Sequence, residues 1–220
     1  MLADSSSRII REFGILNENI EPGSKAYGIP HPGLYVIDEN LIVIEKQFQA
    51  AYDERPSGES ILAVHFDKSL PHQKQFKLPY LKGSVAIADT TSYPSQMHAV
   101  QIKFQLDPGI HVYGHPVPQG YVPLTITLQT LADVSMDSIE VPPTRSYHIE
   151  SLDETFNVLP AEFTLQTYLR TVKKPQAGDF ELIFKIEMQA CDNRVCFPPE
   201  EKMVRFPFHI SRALKEQTRK

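Results

Sequence analysis

Cys191 and Cys196 are the two cysteines of this 220-residue chain, and four residues separate them, Asp192, Asn193, Arg194 and Val195. That spacing lets the pair face each other across a hairpin. Directly opposed residues on paired strands bring their Cβ atoms to about 4.5–5.5 Å, a small adjustment away from disulfide distance. Two kinds of chemistry then compete. A bond closing so short a loop contributes only about 2 kcal/mol in the chain-entropy model, so a purely structural staple would do little for a domain of this size. Exchange chemistry asks instead for a reachable sulfur, a thiolate population and a second thiol close enough to resolve a mixed disulfide. Spacing alone is compatible with either.

Other constellations offer less. His111 and His115 have the spacing that makes a metal pair on a helix, but Gly114 and Pro116 mark the segment as strand and turn. The two rings would not share a helical face, and a closed zinc site needs about four ligands. The sequence has no Gly-x-Ser-x-Gly elbow, phosphate loop or Gly-x-Gly-x-x-Gly run. No cofactor and no metal is expected. The formal charge of -5 is uneven, with 5 Lys and Arg against 10 Asp and Glu in residues 1–65 and 17 of each sign in 66–220. Such a balance argues against nucleic acid as a partner, because that binding rests on neutralising phosphates. No apolar run approaches the roughly 20 residues that span a bilayer, and Met1 is followed by Leu-Ala-Asp-Ser-Ser-Ser rather than by an export signal.

The elements that must position the cysteines come in two groups. Residues 5–13 read as a short amphipathic helix stopped at Gly14, 34–38 and 41–45 as two strands around a Glu39-Asn40 turn, and 57–66 as a closing helix. Apolar periodicity lapses over the polar stretch 67–77 and resumes as alternation over 97–106, 122–131, 161–171, 180–188 and 203–210. Several strands without intervening helices imply an antiparallel sandwich. The expected organisation is a first segment at 1–66, a linker at 67–75, a β-sandwich at 76–210 and a polar tail at 211–220. The chain is mainly β.

The first segment resembles the C-terminal half of a thioredoxin-fold redoxin of the alkyl hydroperoxide reductase and thiol-specific antioxidant superfamily. Phe13-Gly14-Ile15, Tyr27-Gly28-Ile29-Pro30-His31-Pro32-Gly33 and Tyr35-Val36-Ile37-Asp38 carry the likeness. The resemblance implies a cis bond before Pro32, and it implies that the first strands and the catalytic cysteine lie upstream of Met1. An incomplete α/β segment of this kind leaves strand edges unpaired. Truncation of a longer parent is therefore the expectation.

Gln189-Ala190-Cys191-Asp192 and Cys196-Phe197-Pro198-Pro199-Glu200 resemble the N-terminal periplasmic domain of thiol:disulfide interchange protein DsbD. The likeness spans roughly residues 76–210, with an intervening loop one residue shorter than the family's. It implies an immunoglobulin-like sandwich whose cysteine pair passes electrons between thioredoxin-like proteins in an extracytoplasmic, periplasmic compartment. It also implies that Cys196 is the attacking sulfur and Cys191 its resolving partner. His111-Val112-Tyr113 matches a strand beside the cysteines, which makes Tyr113 a packing residue against the sulfurs. Asp153-Glu154-Thr155-Phe156 matches an acidic and aromatic cap, with Phe156 as shielding ring and Asp153 as proton acceptor. Arg194 is a neighbour placed to lower a thiolate pKa by Coulomb attraction.

Three functions follow. The first is a thiol-disulfide exchange module, the second a peroxiredoxin-type antioxidant whose peroxidatic cysteine lies upstream, and the third a non-catalytic immunoglobulin-like binding module with a structural disulfide.

Overall fold

The computed structural model describes residues 4–48, 55–66, 68–151 and 153–212. Two compact units divide within the two-residue strand β3 (Arg55–Pro56), after Arg55. In the first, helix α1 (Arg8–Glu12) precedes a hairpin of β1 (Gly33–Ile37) and β2 (Val43–Phe48). The Asp38 carboxylate makes the hairpin turn by accepting the backbone N–H groups of Asn40 and Ile42 at 2.9 and 2.8 Å. The expected cis bond before Pro32 is not found, and the cis X-Pro bond of the described residues is His115–Pro116. Ahead of Pro32, the His31 N–H donates to the Ile15 carbonyl at 2.8 Å and Pro30 bridges to Leu16. The chain thus runs into β1 with the trans linkage that X-Pro bonds ordinarily prefer.

The second unit is a β-sandwich built on alternation. In β16 (Glu200–Ile210), Val204, Phe206, Phe208 and Ile210 are buried while Arg205, Pro207 and His209 face outward, and β14 (Gly178–Met188) buries Leu182, Phe184, Ile186 and Met188 in the same way. These strands join β6 (Thr91–Ser92) and β9 (Thr125–Gln129) in a sheet of order β6-β16-β14-β9. The facing sheet has the order β10-β13-β7-β5-β4, with β4 (His72–Leu78), β5 (Leu81–Ile87), β7 (Gln96–Leu106), β10 (Val134–Met136) and β13 (Glu162–Thr171). Neighbouring strands along these two orders are antiparallel except β6 with β16, which are parallel. One core joins them: Val85, Ile102 and Phe104 from one sheet meet Leu182, Phe184 and Phe206 from the other. Each such buried side chain is worth about 1.5–3 kcal/mol, which fixes which face of each strand is inside. Two short ribbons complete the unit, β8 (His111–Val112) with β15 (Ala190–Cys191) and β11 (Arg145–Ile149) with β12 (Glu154–Val158).

Two expectations change here. The polar stretch read as a linker contains β4, an edge strand whose first four residues are exposed and whose Phe76 and Leu78 are buried. An edge strand with one solvated face carries a polar sequence, which hid it. Helix α2 (Gly58–His65), expected to close the first segment, packs instead on β7. Ser57 caps its N-terminus by accepting the Ser60 N–H, and Ala63 lies with Leu70 among Ala86, Ala88 and Ala99, whose small side chains let a helix approach a sheet. The buried Ser60 hydroxyl accepts the Ala99 N–H at 2.8 Å. No helix among the described residues is long and apolar enough to cross a membrane.

Ser60→Ala leaves the Ala99 N–H buried without an acceptor, which should cost the sandwich about 1–3 kcal/mol in denaturant unfolding. An unmoved transition would mean that α2 does not belong to this unit.

Candidate functional site

The cysteines lie in the connection between β14 and β16. Beyond Met188, Gln189 locks the departing chain: its side chain accepts the Val122 N–H at 3.0 Å and donates to the Phe197 carbonyl at 2.9 Å. Ala190 and Cys191 then pair with Val112 and His111. The chain reverses at once. Asp192 accepts the N–H groups of Arg194 and Val195, each at 2.7 Å, and its own N–H donates to the Val195 carbonyl at 3.0 Å. Those backbone hydrogen bonds, with the Val195 one foremost, hold the Asp192 carboxyl below its ordinary range. The return leg is fixed by the Phe197 N–H on the Ala190 carbonyl at 2.9 Å, and Phe197 stacks on Tyr80 with ring centroids 4.0 Å apart. Cys191 and Cys196 therefore oppose each other as an antiparallel bridge and are joined by a disulfide.

The two sulfurs have unequal surroundings. Cys191 is fully buried in a cluster with Tyr113, Ile149, Phe156 and Val158, whereas Cys196 sits at its edge, partly exposed. The Tyr113 hydroxyl lies 3.2 Å from Cys196 Sγ, and since a disulfide sulfur carries no proton, the hydroxyl donates. Burial pushes the Tyr113 phenol well above its ordinary pKa, helped by the neighbouring Tyr121 and Glu154. It remains a neutral donor throughout the range in which thiols titrate. Phe156, also buried, stacks on Tyr113 at 4.4 Å and meets Tyr121 edge-on at 4.8 Å. Tyr113 and Phe156 thus lie beside the pair.

Asp153 does not. Its side chain is 99% exposed, with Oδ1 3.9 Å from His148 Nε2, and its φ of 49° makes it the turn residue before β12. From Glu154 the strand alternates, so Glu154, Phe156 and Val158 share the inward face. Glu154 is the acid turned toward the aromatic cluster: it raises the pKa of Tyr121, and its Oε2 is buried without a hydrogen-bond partner. That alternation was the signal available in the sequence. Arg194 is exposed, and its charge acts on the Asp192 carboxyl. His111 Nε2 lies 3.0 Å from Asn193 Oδ1, and His115 is exposed on the following turn. Tyr147 and Ser151, which the sequence did not single out, also reach the cysteine loop, at Asn193 and Arg194.

Among known proteins, the family model described as thiol:disulfide interchange protein DsbD, N-terminal, matches residues 77–207. Residues before 77 lie outside the match. Similar solved structures include the N-terminal periplasmic domain of ScsB from Proteus mirabilis, at 14% identity over 60% of this chain with a TM-score of 0.46. The present chain spans about half of that one, 49%. Another is the DsbD N-terminal domain of Neisseria meningitidis in the reduced form, at 18% identity over 50% of this chain and 81% of that one, with a TM-score of 0.31. No curated protein matches the chain.

Tyr113→Phe should raise the pKa of the Cys196 thiol in the reduced protein by about one unit, because a hydrogen bond to the thiolate favours the charged form. The pH dependence of alkylation reads this directly. An unchanged profile would show that the hydroxyl does not serve the sulfur.

Proposed function

This chain belongs to the family of the N-terminal domain of thiol:disulfide interchange protein DsbD, whose cysteine pair exchanges with thioredoxin-like partners, and on that premise we propose that Cys196 is the sulfur attacked. The supporting observation is the difference in burial: Cys191 is 0% exposed, while Cys196 reaches the surface. A partner thiolate attacks Cys196 Sγ, the Cys191–Cys196 bond breaks, and Cys191 leaves as a thiolate that takes up a proton. The partner's second thiolate then attacks its own sulfur in the mixed disulfide and expels Cys196. Two electrons and two protons have moved, the partner is oxidised to a disulfide, and the pair is reduced. Run in reverse on an oxidised acceptor, the same steps restore the bond. Tyr113 donates a hydrogen bond to the Cys196 thiolate in both directions, and Phe156 covers the buried side.

A staple closed to partners is the less favoured reading, because Cys196 is only partly buried beside the fully buried Cys191. The antioxidant alternative places its peroxidatic cysteine upstream of this sequence, whereas the family match over residues 77–207 favours exchange at the Cys191–Cys196 pair. The half-redoxin reading of residues 1–66 rests on its sequence motif. We place the pair in an oxidising, periplasmic compartment, where a disulfide of this kind can form and persist.

With an oxidised thioredoxin-like protein, Cys191→Ser should accumulate a mixed disulfide through Cys196, because the resolving thiol is gone. Cys196→Ser should trap at least about tenfold less, its remaining thiol being buried. Equal trapping, or none by either variant while the wild-type disulfide resists excess reduced thioredoxin, would remove the exchange reading.

A further inference from the structure

Helix α2 packs on the outer face of the β10-β13-β7-β5-β4 sheet at Ala86, Ala88 and Ala99. Farther along the same strands that face opens a cleft of about 150 Å³ around Ser84. Strand alternation gathers its lining. Ser84 stands in register between Gln75 of β4 and Lys103 of β7, and the next outward row is Lys77, Lys82, Gln105 and Glu162. So short a residue among such long ones leaves the surface dished. Among the described residues, none of the polar side chains lining the cleft, Gln75, Lys82, Ser84, Lys103, Gln105 and Glu162, makes a hydrogen bond or ion pair with another. Water can serve those that are exposed. The Ser84 hydroxyl, on a residue only 4% exposed, lies at the floor without a protein partner.

Charge singles out what the cleft would hold. Lys82 is directly opposite Lys77, and like charges so placed destabilise a sheet. Lys103 is a diagonal neighbour of Lys82, at the roughly 7–8 Å that long side chains bridge. Lysine on an edge strand can serve to discourage strand addition, which accounts for Lys77 on β4 but not for Lys82 and Lys103 on the interior strands β5 and β7. Glu162, on the far side of Gln105, adds one acceptor to this set of donors. The volume falls below the roughly 300–1,000 Å³ of pockets for drug-sized ligands, so the occupant is small.

We propose that this cleft binds a small oxyanion that also carries a hydroxyl, of the class of hydrogen phosphate and phosphate monoesters. Lys82 and Lys103 hold its anionic oxygens, the Ser84 hydroxyl donates to one of them from the floor, and Glu162 accepts from the ligand hydroxyl. Neither cysteine lines the cleft, so binding there is separate from exchange.

Titration of the full chain with inorganic phosphate, with chloride holding the ionic strength constant, reads the site through backbone amide chemical shifts. Those of Ser84 and Lys103 should saturate with a dissociation constant on the order of 1 mM, about what two hydrogen bonds from charged donors supply. Lys82→Gln and Lys103→Gln should each weaken binding about fivefold or more, and Ser84→Ala about twofold to fivefold. Lys25→Gln, the same loss of charge at an exposed site in the other unit, should leave it unchanged. Sulfate, which offers Glu162 no hydroxyl, should bind more weakly than phosphate, and Glu162→Ala should narrow that difference. Glycerol 3-phosphate distinguishes the sources: binding tighter than phosphate assigns the site to esters, and equal or weaker binding assigns it to the free ion. Shifts that fail to saturate, or that chloride alone reproduces, overturn the proposal. So does unchanged affinity in both lysine variants, or an equal loss in Lys25→Gln, which would reflect net charge rather than a site.

Discussion

The pairing of β14 with β16 is the constraint on which the site depends. Its register runs unbroken from Gly178 opposite Ile210 to Met188 opposite Glu200. Because the inward phase of both strands is set by Leu182, Phe184, Ile186 and Met188 against Val204, Phe206 and Phe208, a slip of one residue would turn that whole set to solvent. The connection that carries both cysteines therefore starts and ends at fixed points. Gln189 and the Phe197–Tyr80 stack hold its two legs against the sandwich, leaving a six-residue excursion from Cys191 to Cys196 with little freedom. Exchange chemistry profits from that rigidity, since a resolving thiol is useful only if it stays beside its partner.

The same rigidity lets the surroundings treat the sulfurs differently. β8 and β15 bury Cys191 among Tyr113, Ile149, Phe156 and Val158, and the turn made by Asp192 lifts Cys196 to the edge of that cluster. Stacking of Phe156 on Tyr113 both excludes water from Cys191 and fixes the phenol toward Cys196. Since burial raises the Tyr113 pKa, the hydroxyl keeps its proton and remains a donor to sulfur instead of becoming a competing anion. Aromatic packing and hydrogen bonding are here one arrangement.

Much of this was legible in the sequence because alternation is a local property. β7, β13, β14 and β16 fall where the apolar period of two placed them, and Tyr113 and Phe156 lie at the cysteines. What escaped was set by tertiary context. β4 was hidden because an edge strand exposes most of its residues, and α2 was assigned to the wrong neighbours because a helix whose buried residues are only Ser60 and Ala63 does not announce which sheet it will cover. Pro32 carried an expectation of cis geometry from a motif, yet the hydrogen bond from His31 to Ile15 places that segment without it. Asp153 was carried over from the resemblance of its segment to an acidic and aromatic cap, and which acid faces inward depends on where the turn before the strand ends. A left-handed residue at 153 shifts that point by one.

Residue type alone would have pointed elsewhere in the same fold. His98 lies between Asp89 and Ser92, with Nδ1 3.2 Å from the carboxylate and Nε2 2.8 Å from the hydroxyl, the composition of a hydrolytic triad. Yet His98 and Ser92 are each 0% exposed, and the Ser92 hydroxyl is further bound to Thr171 at 2.6 Å. A hydroxyl enclosed in this way has no room for a substrate carbonyl, and the hydrogen bond from His98 that holds the Asp89 carboxyl below its ordinary range ties β7 to the turn before β6. That network is a satisfied polar knot in the sandwich. Cys196 has fewer polar neighbours but an open side, and nucleophilic exchange at sulfur requires a line of approach before it requires any helper. Access separates the functional cluster of this protein from the structural one.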